Sequence, residues 1–318
     1  KKELLKEDGL PPLPESVNDF SRKCFRLRYL LENYPELVPY ASVEGKDKSI
    51  GLLCLDASKM LLESFEKVRG AVFFSGTFSP IGYFIESILG LENVPYLLLP
   101  SPFPKENFKL LLAPLISLRL KDRDKTIQEV ASFLQSFVQS KIGNFFIYLP
   151  SFLYLSKIKP LLSFGEEVDI YYQTESMDSE KKSEFLSHFQ ENPKKTTVGI
   201  LVIGGSFGEG VDLPFDRLIG VAIVGTGMPQ IGFENELLKS RFKEKGFDYA
   251  YRNPGINKVM QAVGRLIRSE KDKGIALLFD DRYTQPEYRE IYKRRWQDYE
   301  IVTSAEEVSR KAKEFYKG

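Results

Sequence analysis

Residues 256–283 read INKVMQAVGRLIRSEKDKGIALLFDDRY, and the way this stretch divides decides the fold. Ile256, Val259, Met260, Val263 and Ile267 follow one another at offsets of 3, 4, 7 and 11. At about 100° per residue these five cluster within roughly 40–60° of one direction, which predicts a helix with that face turned inward. Asn253 and Pro254 stand where an N-cap and a first-turn proline belong. Gln261, Arg265 and Arg268 fall about 120–180° away from the apolar direction on the same wheel. Gly264 lies between the two faces and lets a backbone or ligand approach closely. After the helix, GIALLFDD is a short apolar run of strand length. By spacing alone, the arginines fit a solvated face, where charged residues usually lie. They also fit a phosphate clamp, because the planar guanidinium offers paired donors and keeps its charge.

Upstream, the same alternation repeats. KLLLAPLI, NFFIYLP, VDIYYQ, VGILVIGG and RLIGVAIVG read as strands. A helix from about Asp124 carries Ile127, Val130, Ala131, Leu134, Phe137 and Val138 at helical spacing. FLYLSKIKPLL, the segment around His188 and NELLKSRFKEKG supply further helices. Strands alternating with helices predict an α/β fold with a parallel sheet covered on both faces. Nearer the start, Phe20, Cys24, Leu27, Leu30 and Leu31 have helical spacing, KSIGLLCLD reads as a strand and ASKMLLESFEKV as a helix. RGAVFFSG reads as a buried strand, followed by a helix over about PIGYFIESILGL. The proline-rich LPSPFPKENFK marks a boundary.

Composition narrows the chemistry. The 318 residues carry 45 Lys plus Arg against 44 Asp plus Glu, so a uniformly basic nucleic-acid coat is excluded and a local basic groove is not. The single histidine, His188, takes classical triads and multi-histidine metal sites off the list and is read as an ordinary helix residue. Two cysteines, Cys24 and Cys54, make neither a thiolate cage nor a disulfide framework. No apolar run approaches the ~20 residues of a membrane span, and no secretory signal opens the chain, so the expected location is cytoplasmic, with no membrane partner. The first residue is Lys1 rather than Met, and the chain is read as a piece of something longer.

Four stretches, in order, carry a family resemblance. QAVGRLIRSEKDKGIALLFDDRY resembles motif VI of superfamily 2 helicases, in the form found in the XPD/DinG family. FFSGTFSP, residues 73–80, is similar to motif III, with Phe78 replacing a leucine. FFIYLPSFLYL resembles motif IV, with Phe152 where tyrosine is common. GGSFGEGVDLP resembles motif V, with Glu209, Gly210 and Asp212 matching and Gly204 and Gly208 departing from the XPD-like pattern. The SPF at 101–103 fits the bacterial DinG-like form. The resemblance covers about residues 46–283 and implies the carboxyl-terminal half of a DNA helicase.

No segment fits G-x-x-x-x-G-K-[S/T], and there is no DEAH-type acidic box. In the resembled family both lie in a first RecA-like domain, and ATP sits between two such domains. The resemblance therefore implies residues 1–45 as a helical linker or the end of an Arch-type insertion, and 46–105 as the last elements of RecA-like domain 1. Residues 106–318 are then RecA-like domain 2. Arg265 and Arg268 are expected at the γ-phosphate, with Gln261 positioning them, while Gly210, Asp212, Glu209 and Gly264 line the nucleotide side. Ser75, Gly76 and Thr77 are expected to couple hydrolysis to domain motion. Taken singly, FFSGTFSP also fits a strand-to-helix turn with a Ser or Thr cap, and GGSFGEGVD a glycine-rich turn.

The implied cofactor is ATP with Mg²⁺, completed by the missing amino-terminal half, which is the expected protein partner. The family often carries an iron–sulfur cluster, but its cysteines belong to that other half. Single-stranded DNA is the expected nucleic-acid partner. Ser151, Thr174 and Ser206 follow three strands, at the edge where parallel sheets bind ligands, and are the expected strand contacts. Phe247, Tyr249 and Tyr251 are read as packed rather than base-stacking, Trp296 as an anchor, and Asp280 and Asp281 as salt-bridged strand-end residues with no metal. The chain alone is expected to hydrolyse no ATP. Two other readings remain: a nucleic-acid-binding module without a motor, and the strand-handling part of a DinG-like exonuclease.

Overall fold

The computed structural model describes residues 14–205, 207 and 213–317, which form two compact units. The smaller comprises residues 14–70 and 87–90, and the larger 71–86 and the described residues from 91 onward.

In the smaller unit, α1 (Glu15–Asn33) forms as its periodicity predicts, but none of its residues is buried, so Phe20, Cys24, Leu27, Leu30 and Leu31 do not build a core within the unit. Ion pairs along the helix, Lys23 to Asp19 at 2.8 Å and Arg28 to Glu32 at 2.7 Å, support it instead. The predicted strand near Lys48 exists as β2 (Asp47–Leu53), but it pairs antiparallel with β1 (Val38–Glu44), a strand absent from the sequence reading. Gly45, at φ +61°, supplies the left-handed residue that the tight turn between them needs. Helix α2 (Ser58–Phe65) follows.

The larger unit is a RecA-like sheet of seven parallel strands with helices on both faces. Its strands are β3 (Phe108–Ala113), β4 (Asn144–Leu149), β5 (Val168–Tyr172), β6 (Thr196–Val202), β7 (Gly220–Val224), β8 (Gly274–Phe279) and β9 (Glu300–Ile301). They lie in the order β5-β6-β4-β7-β8-β3-β9. Every residue of β4, β6, β7 and β8 is buried, as expected of strands covered on both faces, which read as continuous apolar runs.

One face is packed by α3 (Arg123–Val138), α4 (Phe152–Ile158) and α9 (Ala305–Lys317), through Val130, Leu134, Phe137, Tyr154, Ile158, Val308 and Ala312. The other is packed by α5 (Ser179–Ser187), α7 (Asn253–Val263) and α8 (Pro286–Tyr292), through Phe185, Ile256, Val259, Met260, Val263, Tyr288 and Ile291. Helix α6 (Phe233–Arg241) precedes α7. Strand β9 and helix α9 were not read from the sequence. Two residues of strand carry little periodicity, and Val308 and Ala312 make only a narrow apolar stripe on a charged helix.

One strand reading fails. Residues 70–76 form no strand; Val72 is 88 % and Phe74 90 % exposed. A buried parallel strand needs ladder partners on both sides, and among the described residues none pairs with this run. The helix expected over PIGYFIESILGL is a short helical turn that becomes π-type at Tyr83–Ile88.

Candidate nucleotide and nucleic-acid site

Helix α7 is anchored at its start against the loop after β7. A Cβ on Gly255 would lie 2.7 Å from the Thr226 carbonyl oxygen and 2.9 Å from the Met228 nitrogen, so only glycine admits this approach. Asn253 is not a cap. It is buried and already helical, because a π-type turn over Asp248–Arg252 runs straight into the helix. The side chain of Asn257 donates to the Ser79 carbonyl at 2.9 Å, joining α7 to the segment after Ser75-Gly76-Thr77.

The far end of α7 departs from the helical wheel. The helix stops at Val263, with Gly264 as C-cap, so Arg265 and Arg268 lie on the turn beyond it. Past Gly264 the Arg265 and Leu266 amides turn to the Ala262 and Val263 carbonyls, and the chain that follows is held by Asp272. This buried carboxylate accepts from the Arg268 and Ser269 backbone nitrogens at 2.6 and 2.8 Å, from the Ser269 hydroxyl at 2.9 Å and from the Phe215 nitrogen at 3.0 Å. Those amides are drawn to a side chain instead of an α-helical ladder. The arginines also part company. Gln261 and Arg268 are exposed, whereas Arg265 is only 6 % exposed, with NH1 within 3.5 Å of the Tyr148 hydroxyl on β4. Burial pushes the Tyr148 hydroxyl up, and the Arg265 cation works against that shift. Leu266 packs on Gly274, the first residue of β8, so the helix has run from the carboxyl edge of the sheet to its amino edge.

Two cations missed by sequence reasoning sit beside these motifs. Arg295 NH1 donates to the Gly76 carbonyl at 2.5 Å, and its NH2 would lie 3.1 Å from a Cβ on Gly264. It thus bridges Ser75-Gly76-Thr77 and the end of α7. Within that loop the Thr77 nitrogen donates to the Ser75 hydroxyl at 3.1 Å. Lys258 on α7 stands beside Gly204, and partial burial pushes its ammonium down. Neither contact is visible from spacing, since each joins segments far apart in the chain.

At the carboxyl edge of the sheet, Ser151 follows β4 and caps α4, its hydroxyl accepting from the Tyr154 nitrogen at 3.1 Å. Thr174 follows β5 and is exposed. Ser206, Glu209, Gly210 and Asp212 lie outside the described residues. The edge therefore brings Ser151 and Thr174 onto one side, separated by β6 in the strand order.

Most of the remaining candidates behave as packing residues, but Phe247, expected to be packed, is 41 % exposed. Tyr249 and Tyr251 are buried, and the Tyr251 hydroxyl donates to Glu236 at 2.7 Å. Trp296 is buried against Tyr292, and exposed His188 stacks on Tyr171 at 3.9 Å. Asp280 is fully buried and gripped by Arg282 at 2.6 and 2.7 Å, while Asp281 meets Arg119 at 3.1 Å. Among the described residues no group of three or more His, Cys, Asp or Glu is arranged to hold a metal ion, and no helix is long and apolar enough to cross a membrane.

A family model described as the helicase C-terminal domain matches residues 134–299, more than half of the chain and five of the seven strands, β4 to β8. The chain belongs to this family. Its kinship is with the XPD/DinG type of superfamily 2 helicase. A probable ATP-dependent helicase of Methanocaldococcus jannaschii is 29 % identical over 218 residues, covering 61 % of this chain and 32 % of that protein. The ATP-dependent DNA helicase YoaA of Escherichia coli is 26 % identical over 273 residues, covering 83 % of this chain and 41 % of that protein. The XPD/RAD3 helicase subunit of general transcription and DNA repair factor IIH of Saccharomyces cerevisiae is 24 % identical, covering 73 % and 32 %. The chain thus spans about a third of the length of these curated relatives. Among solved structures, an XPD helicase superposes with a TM-score of 0.65 at 18 % identity, covering 93 % of this chain and 57 % of that one, a likeness of fold.

Proposed function

We propose that this chain is the second motor half of an ATP-dependent DNA helicase. In this reading 106–318 form RecA-like domain 2, 46–105 are closing elements of domain 1, and 1–45 are a helical linker. The observation that carries it is the end of α7, where Gln261 in the last helical turn is followed by Gly264, Arg265 and Arg268 on a turn held by a buried carboxylate. A guanidinium pair on a rigid turn is suited to charge that builds on a transferring phosphoryl group, and such fingers are worth about 10³–10⁵ in rate in other NTPases.

ATP and Mg²⁺ would be seated by a P-loop domain, since this sequence has no such loop. Arg268, exposed, is the residue placed to reach a γ-phosphate; Arg265 needs a side-chain shift away from Tyr148 to join it. Gln261 then orients the pair, and Glu209, Gly210 and Asp212 complete the nucleotide side. Ser75, Gly76 and Thr77 transmit the change, with Arg295 as the link between that loop and α7. Single-stranded DNA runs along the carboxyl edge of the sheet over Ser151, Thr174 and Ser206, its phosphates held by hydroxyls and backbone amides.

The test is ATP turnover with single-stranded DNA present. The 318-residue chain alone should give none above background. A longer protein that includes a P-loop domain should turn ATP over and lose at least about a hundredfold on Arg265→Ala or Arg268→Ala. Retention of full activity in both variants would remove this reading.

A further inference from the structure

Beside Ser151 lies a set of donors whose acceptor is absent from the fold. Helices α3 and α4 start side by side at the carboxyl edge, tied by Lys157 Nζ to the Asp124 carboxylate at 2.7 and 2.9 Å. Three arginines meet there. Arg282 is spent on Asp280, through Nε at 2.6 Å, NH2 at 2.7 Å and its backbone nitrogen at 3.0 Å. Arg119 is spent on Asp281. Arg123, in the first turn of α3, is not spent. Its Nε donates to the Leu118 carbonyl at 3.0 Å, and among the described residues its two terminal amines have no acceptor.

The neighbouring carboxylates are engaged elsewhere, Asp124 by Lys157, Asp280 by Arg282, Asp122 by the Ser117 hydroxyl at 2.9 Å, and Asp281 by Arg119 through one oxygen, its other oxygen being buried without a partner among the described residues. Arg123 is partly buried and stands close enough to Arg282 that burial and like charge both pull its guanidinium down. Below it the Tyr154 hydroxyl, on a residue 3 % exposed, has no hydrogen-bond partner among the described residues. Buried polar groups are normally paired, which the Tyr154 hydroxyl is not, while the partly buried Arg123 fork stays within reach of an anion arriving from solvent. Both groups stand at the positive end of a sixteen-residue helix.

We propose that the Arg123 fork takes one backbone phosphate of the nucleic-acid strand, with Arg119 at the rim of the site. The inference rests on the reading of Ser151 as a strand contact, since Ser151 and Tyr154 share one helical turn. It extends that reading in direction. From Ser151 the strand continues past the ends of β7 and β8 toward β3, as well as toward Thr174 on β5. The planar fork, which matches phosphate oxygens in pairs, makes arginine rather than lysine the required residue.

The experiment is fluorescence anisotropy of a labelled oligothymidylate titrated with the whole 318-residue chain over a series of salt concentrations. Wild type is compared with Arg123→Gln, Arg123→Lys and Ser151→Ala, and melting curves check that each variant folds. Arg123→Gln is expected to weaken binding about tenfold and to lower the slope of log K against log salt by about 0.7. Arg123→Lys should restore the slope but not the affinity. If Ser151→Ala weakens binding while Arg123→Gln changes neither affinity nor slope, this inference is overturned and the strand reading survives. If the wild-type chain fails to bind the oligonucleotide at low salt, the strand reading falls first and this inference with it. A third arm adds inorganic phosphate alone. Arg123-dependent thermal stabilisation by millimolar phosphate, with no Arg123 effect on the oligonucleotide, would identify a free-phosphate site and overturn the strand assignment.

Discussion

Two phenylalanine pairs meet opposite fates in this molecule. In NFFIYLP, Phe145 and Phe146 lie at the centre of the sheet and are fully buried. In AVFFSG, Phe73 and Phe74 sit on backbone without strand pairing and are exposed. The two runs are alike in length and apolar content. What differs is company: β4 has β6 on one side and β7 on the other, while 70–76 has no ladder partner among the described residues. An apolar run states that a strand is affordable there, and the neighbours determine whether it forms. Within the proposed function, 70–76 is a strand of the first motor domain whose partners belong to the other half.

The sharpest way to break this comparison is to truncate both pairs. Phe146→Ala should cost about 3–5 kcal/mol in urea unfolding, from lost burial and the cavity left behind. Phe74→Ala should stay within about 0.5 kcal/mol, as exposed substitutions do. Equal losses would mean that 70–76 is packed after all. Next in size, Arg282→Gln leaves the Asp280 carboxylate buried and unpaired, and should cost about 3 kcal/mol in the same measurement.

A smaller effect sharpens how the segment after 70–76 is held. Asn257→Ala removes the bond to the Ser79 carbonyl and should cost about 1 kcal/mol. Faster amide exchange is then expected at residues 77–79, with β4 unchanged. The smallest effect lies at the sheet's far edge. Lys109 and Lys311 beside Glu300 hold its carboxyl below the usual range. A depressed carboxyl pKa contributes stability above the unfolded value and loses it as pH falls through the folded one. The clasp between β3, β9 and α9 should therefore weaken only below the ordinary glutamate range, around pH 4. Glu300→Gln should lower the melting temperature slightly at neutral pH and not at about pH 3, and because the pair is partly exposed the difference should stay under about 1 kcal/mol.

Much of the sheet was legible in the sequence, because parallel strands covered on both faces must be nearly all apolar, as β4, β7 and β8 are. The apolar face of α7 was legible for the same reason, with Ile256, Val259, Met260 and Val263 in the core. Its end was not. Periodicity carried the helix on through Ile267, but the Arg265 and Leu266 amides tighten onto the Ala262 and Val263 carbonyls, and Asp272, brought back by the turn before β8, holds the amides of Arg268 and Ser269 beyond them. Arg265 was read as exposed on the wheel, and its burial depends on the Tyr148 hydroxyl more than a hundred residues away. The link from Arg295 to Gly76 spans 219 residues and leaves no local signal. Hairpin strand β1 carries a proline and a charged end, and its register shows only once β2 lies beside it.

The central claim is that the arginine-bearing turn after α7 serves a nucleotide which another domain must seat. The most direct measurement is ATP hydrolysis with single-stranded DNA, by the 318-residue chain alone and by a longer protein that includes a P-loop domain. The account predicts background turnover from the first, and from the second a turnover that collapses on Arg268→Ala while the fold is kept. Arginine-dependent turnover by the short chain, or full turnover by the long one after that substitution, would contradict it.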